Sequence, residues 1–122
     1  MESFLKQKLQ QDFLDCIAID KSIVMGNLRT TEGTLILFDL LDHVKSDIAT
    51  MDKETWELLN QAERKFMLDC AQRKYEIQKD RRIKDSSDKR SLELELLRED
   101  YKTCKELLYF IQNLCWKQGW FQ

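Results

Sequence analysis

The residues best suited to metal or acid–base chemistry lie around a single histidine. His43 has Asp39 and Asp47 four residues to either side, which places all three on one face of a helix, and Asp42 is its neighbour. Imidazole and carboxylate groups bind metals inside helical bundles, but such sites need further ligands from facing helices. The sequence has no second histidine. We therefore interpret His43 as a surface residue among acids and predict no metal site.

The cysteines show no pattern typical of a catalytic or metal-binding site. None belongs to a CxxC pair, and each lies among periodic apolar residues, where a thiol behaves as a small hydrophobic side chain: Cys16, Cys70, Cys104 and Cys115. A cysteine nucleophile needs a base, and His43 is the only histidine. Gly-rich phosphate loops, HExxH and GxSxG are absent from the sequence. These observations predict a protein that is not an enzyme, needs no cofactor and keeps its thiols free.

Three aromatic residues near the carboxyl end predict a protein interface. With Leu94 at heptad position a, Tyr109 and Trp116 both fall at position b, opposite the apolar seam, and Trp120 follows one turn later. Aromatic side chains contribute much of the binding energy at interfaces. The alternative is that the first helix covers this row.

A basic segment in the second half of the chain supplies candidate phosphate contacts. Its bases are Arg73, Lys74, Lys79, Arg81, Arg82, Lys84, Lys89 and Arg90. Four acids interrupt the run, which favours a solvated helix end over a binding site. Tyr75 is the only aromatic residue nearby that offers a stacking surface, and proteins that bind single strands normally use several.

Composition limits the molecule to one compact domain over residues 1–122. The chain is 43% hydrophobic and 34% charged, with three glycines and no proline. Its net charge of −2 predicts no overall attraction to nucleic acid or membranes. The amino end lacks the pattern of a signal peptide, and the aliphatic or aromatic runs, such as residues 35–38 and 107–111, are too short to cross a bilayer. We therefore expect a soluble, cytoplasmic protein.

Apolar periodicity predicts helices in the first half of the chain. The first covers about residues 2–25 and ends at the pair Gly26 and Asn27. Its predicted apolar face consists of Phe4, Leu5, Leu9, Phe13, Leu14, Cys16 and Ile17. Thr30 or Thr31 is the expected N-cap of the second helix, whose apolar seam is Leu37, Leu41, Val44 and Ile48. Thr50 or Asp52 either caps a third helix or lies within a continuous one. Both alternatives remain open from the sequence.

The second half predicts a long helical hairpin. A helix runs towards residue 78, residues 78–91 form a polar, charged tip, and the run 84–89 is the expected turn. The last helix has steps of three and four over three heptads: Leu94, Leu97, Tyr101, Cys104, Leu108, Ile111 and Cys115. Gly119 suits a left-handed cap that folds Trp120 back towards Cys115.

These elements predict an all-α antiparallel bundle of three to four helices with a long, coiled-coil-like C-terminal hairpin. The function expected from this fold and from the aromatic row is a non-enzymatic protein–protein interaction module, such as an adaptor, inhibitor or assembly subunit, which self-associates or binds a protein partner. The alternative is a nucleic-acid-binding accessory protein, such as a recombination or replication mediator, that uses residues 73–90. We expect no membrane partner.

Overall fold

A computed structural model describes residues 2–121 of the chain. In that range it has four helices and no strand: α1 (Glu2–Val24), α2 (Thr30–Met51), α3 (Lys53–Asp80) and α4 (Ser86–Lys117). The predicted all-α bundle is therefore confirmed. Its long hairpin is formed by α3 and α4, which have 28 and 32 residues.

Ion pairs between α3 and α4 show that these two helices run antiparallel. Arg73 of α3 pairs with Glu99 of α4 at 2.8 Å, and further along α3, Arg81 pairs with Glu95 at 3.0 Å. As the residue number rises along α3, the number of its partner in α4 falls. These charge pairs therefore link α3 to α4 along the hairpin.

One hydrophobic core joins the four helices. Its buried side chains are Leu9, Phe13, Cys16 and Ile23 of α1, Leu37, Leu41, Val44 and Ile48 of α2, Leu59 of α3, and Cys104, Leu107, Leu108, Ile111 and Cys115 of α4. Burial of a leucine or isoleucine side chain stabilises a fold by about 1.5–3 kcal/mol. The predicted seam of α2 is wholly buried. The seam of α4 is buried only from Cys104 onward, because Leu94 is exposed and Leu97 and Tyr101 are half-buried.

Two glycines end helices as the sequence predicts. Gly26 and Gly119 have φ values of 80° and 76°, in the left-handed region that favours glycine. After Gly119, the backbone N–H of Trp120 donates to the carbonyl of Cys115 at 3.0 Å. This bond belongs to the Schellman cap, which satisfies carbonyls at the helix end.

The predicted start of α2 is wrong by one residue, and Asp52 separates α2 from α3. The capping position is Arg29, whose side chain makes no capping bond, so Thr30 is already helical. At Asp52 the extended backbone (φ −159°, ψ 113°) interrupts the helix. Its N–H donates to the carbonyl of Ile48, and its own carbonyl accepts from the N–H of Trp56. One residue thus closes α2 and opens α3.

The link between α3 and α4 is earlier than the predicted turn at 84–89. It comprises residues 81–85, because Asp85 caps α4 by accepting a hydrogen bond from the N–H of Asp88 at 2.9 Å. The run that follows Asp85 is polar, but serine and aspartate are common in the first turn of a helix as well as in loops. In the predicted tip, residues 78–91, every side chain is exposed except the half-buried Asp88.

Candidate functional site

The side of the bundle between α1 and α4 is its most open side. The backbones of α1 and α2, α2 and α3, and α3 and α4 approach closely, as do those of the diagonal pair α2 and α4. In contrast, α1 reaches α4 mainly through side chains. The two diagonal helices therefore form the centre of the bundle, and the space between α1 and α4 is filled less completely.

Two groups of contacts connect α1 to α4. At one end, the Tyr101 hydroxyl donates to Asp20 Oδ1 at 2.5 Å, and Lys105 Nζ lies 3.8 Å from the same atom. Burial, together with Asp20, raises the pKa of Tyr101. At the other end, the rings of Phe13 and Phe121 are 4.7 Å apart. These contacts fix how the surfaces of α1 and α4 face each other.

Exposed apolar side chains lie between these two groups of contacts. On α4, Tyr109 and Trp116 are 64% and 65% exposed; on α1, Leu14 is 57% exposed and Ile17 38%. We call these four residues the α1–α4 face. A shallow apolar cavity of about 280 Å³ opens beside them, lined by Gln10, Phe13, Leu14 and Phe121. Contiguous apolar surface of this kind is typical of interaction sites.

Trp120 is separate from the other two residues of the predicted row. The left-handed cap at Gly119 turns the chain back, and Trp120 is half-buried against the core. Its carbonyl accepts a hydrogen bond from Gln10 Nε2 at 2.6 Å. Tyr109 and Trp116 are therefore the exposed members of the row, while Trp120 helps attach α1 to the end of α4.

Two residues of the α1–α4 face were assigned by the sequence to the packed side of α1. Leu14 and Ile17 belong to the predicted apolar face of the first helix, but the core residues of α1 are Leu9, Phe13, Cys16 and Ile23. Leu9, Cys16 and Ile23 are spaced by seven residues, and that spacing is a signal that distinguishes them from Leu14 and Ile17.

The basic segment is partly neutralised within the hairpin. Arg73 pairs with Glu99 and Lys74 with Asp100, while Arg81 pairs with Glu95. The hydrogen bond that Arg73 Nε donates to Glu99 Oε2 raises the pKa of Arg73. Within residues 2–121, no ion pair is formed by the remaining bases of the segment, which are all exposed: Lys79, Arg82, Lys84, Lys89 and Arg90. The surface of the tip thus offers five of the eight predicted phosphate contacts.

The residues around His43 do not form a common site. His43 and Asp39 are exposed, but Asp47 is buried and accepts a hydrogen bond from Lys8 Nζ at 2.6 Å. Burial is the main cause that raises the pKa of Asp47 to about 6, and hydrogen bonding with Asp12 adds to it. Among the described residues, no three His, Cys, Asp or Glu side chains come together as metal ligands.

The four cysteines are buried and unpaired. Burial is the main cause that raises the pKa of Cys16, Cys104 and Cys115 to about 12. A thiol with such a pKa is protonated at neutral pH, and the thiolate is the reactive form. These side chains therefore serve packing.

Comparisons with known proteins do not assign a function. No protein-family model matches the chain, and neither a curated protein nor a solved structure matches it significantly. In the described range, no helix is both long and apolar enough to cross a membrane.

Proposed function

We propose that this chain is a non-enzymatic protein–protein interaction module, acting as an adaptor, an inhibitor or an assembly subunit through the α1–α4 face. The exposure of Tyr109 and Trp116 beside Leu14 and Ile17 carries the proposal. Large aromatic side chains provide much of the binding energy when a partner covers them. The partner is either another protein or a second copy of the chain.

The variant Trp116→Ala tests this proposal. Trp116 is 65% exposed and lies outside the core, so its truncation should leave the helix content unchanged. Association should weaken by about 2 kcal/mol or more, the scale of an interface hot spot. Light scattering at micromolar concentration measures self-association, and affinity capture from the native source, with and without nuclease, measures binding to other proteins.

Leu68→Ala is the matched control for this experiment. Leu68 is 66% exposed, but it lies on α3, away from the α1–α4 face. Its truncation removes a similarly exposed apolar side chain and should leave association unchanged. The proposal is wrong if the chain stays monomeric and captures no protein, or if both variants associate like the original chain.

The hairpin tip supports a second candidate function, that of a nucleic-acid-binding accessory protein. Its five exposed bases have no ion-pair partner among the described residues, so they are available to phosphates. Affinity for single-stranded DNA or RNA should then fall steeply with salt. It should be lost in the triple variant Arg82→Glu, Lys84→Glu and Arg90→Glu, measured by fluorescence anisotropy. Lys65→Glu, which changes an exposed base outside the tip, is the control, and equal binding by both variants contradicts this function.

A further inference from the structure

The outward stripes of α1 and α4 combine apolar and basic residues and contain no acid. On α4, steps of four and three connect Arg98, Lys102, Lys105, Tyr109, Gln112 and Trp116. On α1, the corresponding stripe is Gln10, Leu14, Ile17, Lys21 and Val24. Residues at such steps lie on one side of a helix. The chain as a whole has two more acids than bases, so this surface differs in charge from the rest of the molecule.

Charge and apolar surface are separated along this side. Tyr109 and Trp116 lie seven residues apart towards the end of α4, whereas Arg98 and Lys102 lie nearer its middle. Because α1 is antiparallel to α4, Lys21 is at the basic end, near Asp20 and its contact with Tyr101. The surface therefore has an aromatic half and a basic half.

The bases of the basic half are available to a partner. Lys21, Arg98 and Lys102 are exposed, and the part of the chain that the structure describes supplies none of them with an ion-pair partner. Asp20, the nearest acid in the seam, is instead occupied by Tyr101 and Lys105. An acidic ligand would thus meet positive charge that no neighbouring carboxylate cancels.

We propose that the α1–α4 face binds an amphipathic helix of a partner protein that has apolar residues on one side and acidic residues beside them. This inference rests on the proposed function and specifies the partner. A helix can lie in a groove between two helices and insert apolar anchors at steps of three, four and seven. From Arg98 to Trp116 the stripe covers 19 residues, that is 18 steps along the helix, so a partner helix of about 27 Å matches its length.

Charge complementarity favours this occupant over a second copy bound face to face. In a two-fold dimer the same patch contacts itself. If the two copies lay parallel, Lys21, Arg98 and Lys102 would face the bases of the other copy; if they lay antiparallel, these bases would face its aromatic half, and in neither arrangement would the stripes supply an acid to pair with them. Like charges across an interface oppose association. An acidic helix turns the same three bases into favourable contacts.

Synthetic helical peptides of about 20 residues test the inference with the full-length protein. The first carries leucine at helical spacing and glutamate on the flanking positions. The second has lysine in place of every glutamate, and the third keeps the glutamates but has serine in place of leucine. Fluorescence anisotropy of labelled peptide measures affinity at low and at moderate salt.

The acidic amphipathic peptide should bind at least tenfold more tightly than either of the other two, and its affinity should fall with salt. The double variant Arg98→Glu and Lys102→Glu should weaken it at least tenfold, and Trp116→Ala about thirtyfold. Lys65→Glu, an exposed base on α3, is the matched charge control and should have little effect. Circular dichroism checks that every variant keeps its helix content.

Several outcomes overturn the inference and separate its failure from that of the proposed function. If the acidic and basic peptides bind equally, or the double variant binds normally, the partner is not acidic. If Trp116→Ala still weakens association in those cases, the proposed function stands. If the chain forms a dimer that Trp116→Ala abolishes, the occupant is a second copy. If the chain binds vesicles containing phosphatidylserine as tightly as it binds the acidic peptide, the occupant is a lipid surface. If Trp116→Ala changes none of these measurements, both proposals are wrong.

Discussion

The position of α1 on α2 depends on Gly33, which has no side chain where the two helices come close. A methyl group at this position would overlap Cγ1 and Cδ1 of Ile23 and lie 3.3 Å from Leu28 Cδ2. Alanine favours a helix over glycine by about 1 kcal/mol, and overpacking of a core costs about 1–3 kcal/mol. The cost of overpacking therefore exceeds the gain in helix propensity, and we expect Gly33→Ala to lower the free energy of unfolding by about 1 kcal/mol.

The variant Ile23→Ala removes the atoms that the new methyl would overlap. On its own it should destabilise the protein by about 2–5 kcal/mol, as other large-to-small core changes do. When Ile23 is already alanine, however, Gly33→Ala should stabilise the helix by about 1 kcal/mol. Urea unfolding followed by far-ultraviolet circular dichroism measures all four proteins of this cycle. If Gly33→Ala stabilises the protein equally in both backgrounds, α1 and α2 are not packed as described.

Three further predictions concern pH, thiol reactivity and proteolysis. The pKa of Asp47, about 6, is above its unfolded value near 3.8, so its ionisation reduces stability as pH rises through this range. Asp47→Asn should therefore stabilise the protein near neutral pH and have less effect at pH 4. Urea unfolding at both pH values measures this difference. Cys16, Cys104 and Cys115 should react with a thiol reagent only as fast as the protein unfolds, because they are buried with pKa values of about 12, and rapid labelling of the native protein would contradict this. Limited trypsin treatment should cut first in the exposed, basic α3–α4 link. Mass spectrometry of the fragments identifies the first cleavage site, and a site elsewhere would contradict this prediction.

Much of the fold could be predicted from the sequence because its signals are local. The left-handed caps at Gly26 and Gly119 and the seam of α2 depend on residues within one or two turns of each other. The break at Asp52 could not be decided, because its neighbours on both sides favour a helix. The sequence predicts the turn too late because Asp85 is compatible with a loop and with a helix cap, and only the hydrogen bond that it accepts from the Asp88 N–H distinguishes the two.

The candidate site could be predicted only in part, because it is built from two helices. Heptad position alone identifies Tyr109 and Trp116, since both lie opposite the seam of their own helix. The role of Leu14 depends on the distance between α1 and α4, about which the sequence of α1 contains no information. Trp120 satisfies two patterns at once, the outer row and the folded-back cap, and it is half-buried against the core, as the cap requires.

Charge density along the sequence also differs from the charge that a partner can reach. The basic segment stands out in the sequence because eight bases lie within residues 73–90, yet Arg73 and Lys74 are neutralised by carboxylates of α4. Lys21, Arg98 and Lys102 are scattered in the sequence, but they lie on one side of the bundle without an ion-pair partner in the described residues. Exposed charges attract a partner within about 8 Å at physiological salt. Bases that lie close together in the folded structure can therefore select an acidic partner, even when they are far apart in the sequence.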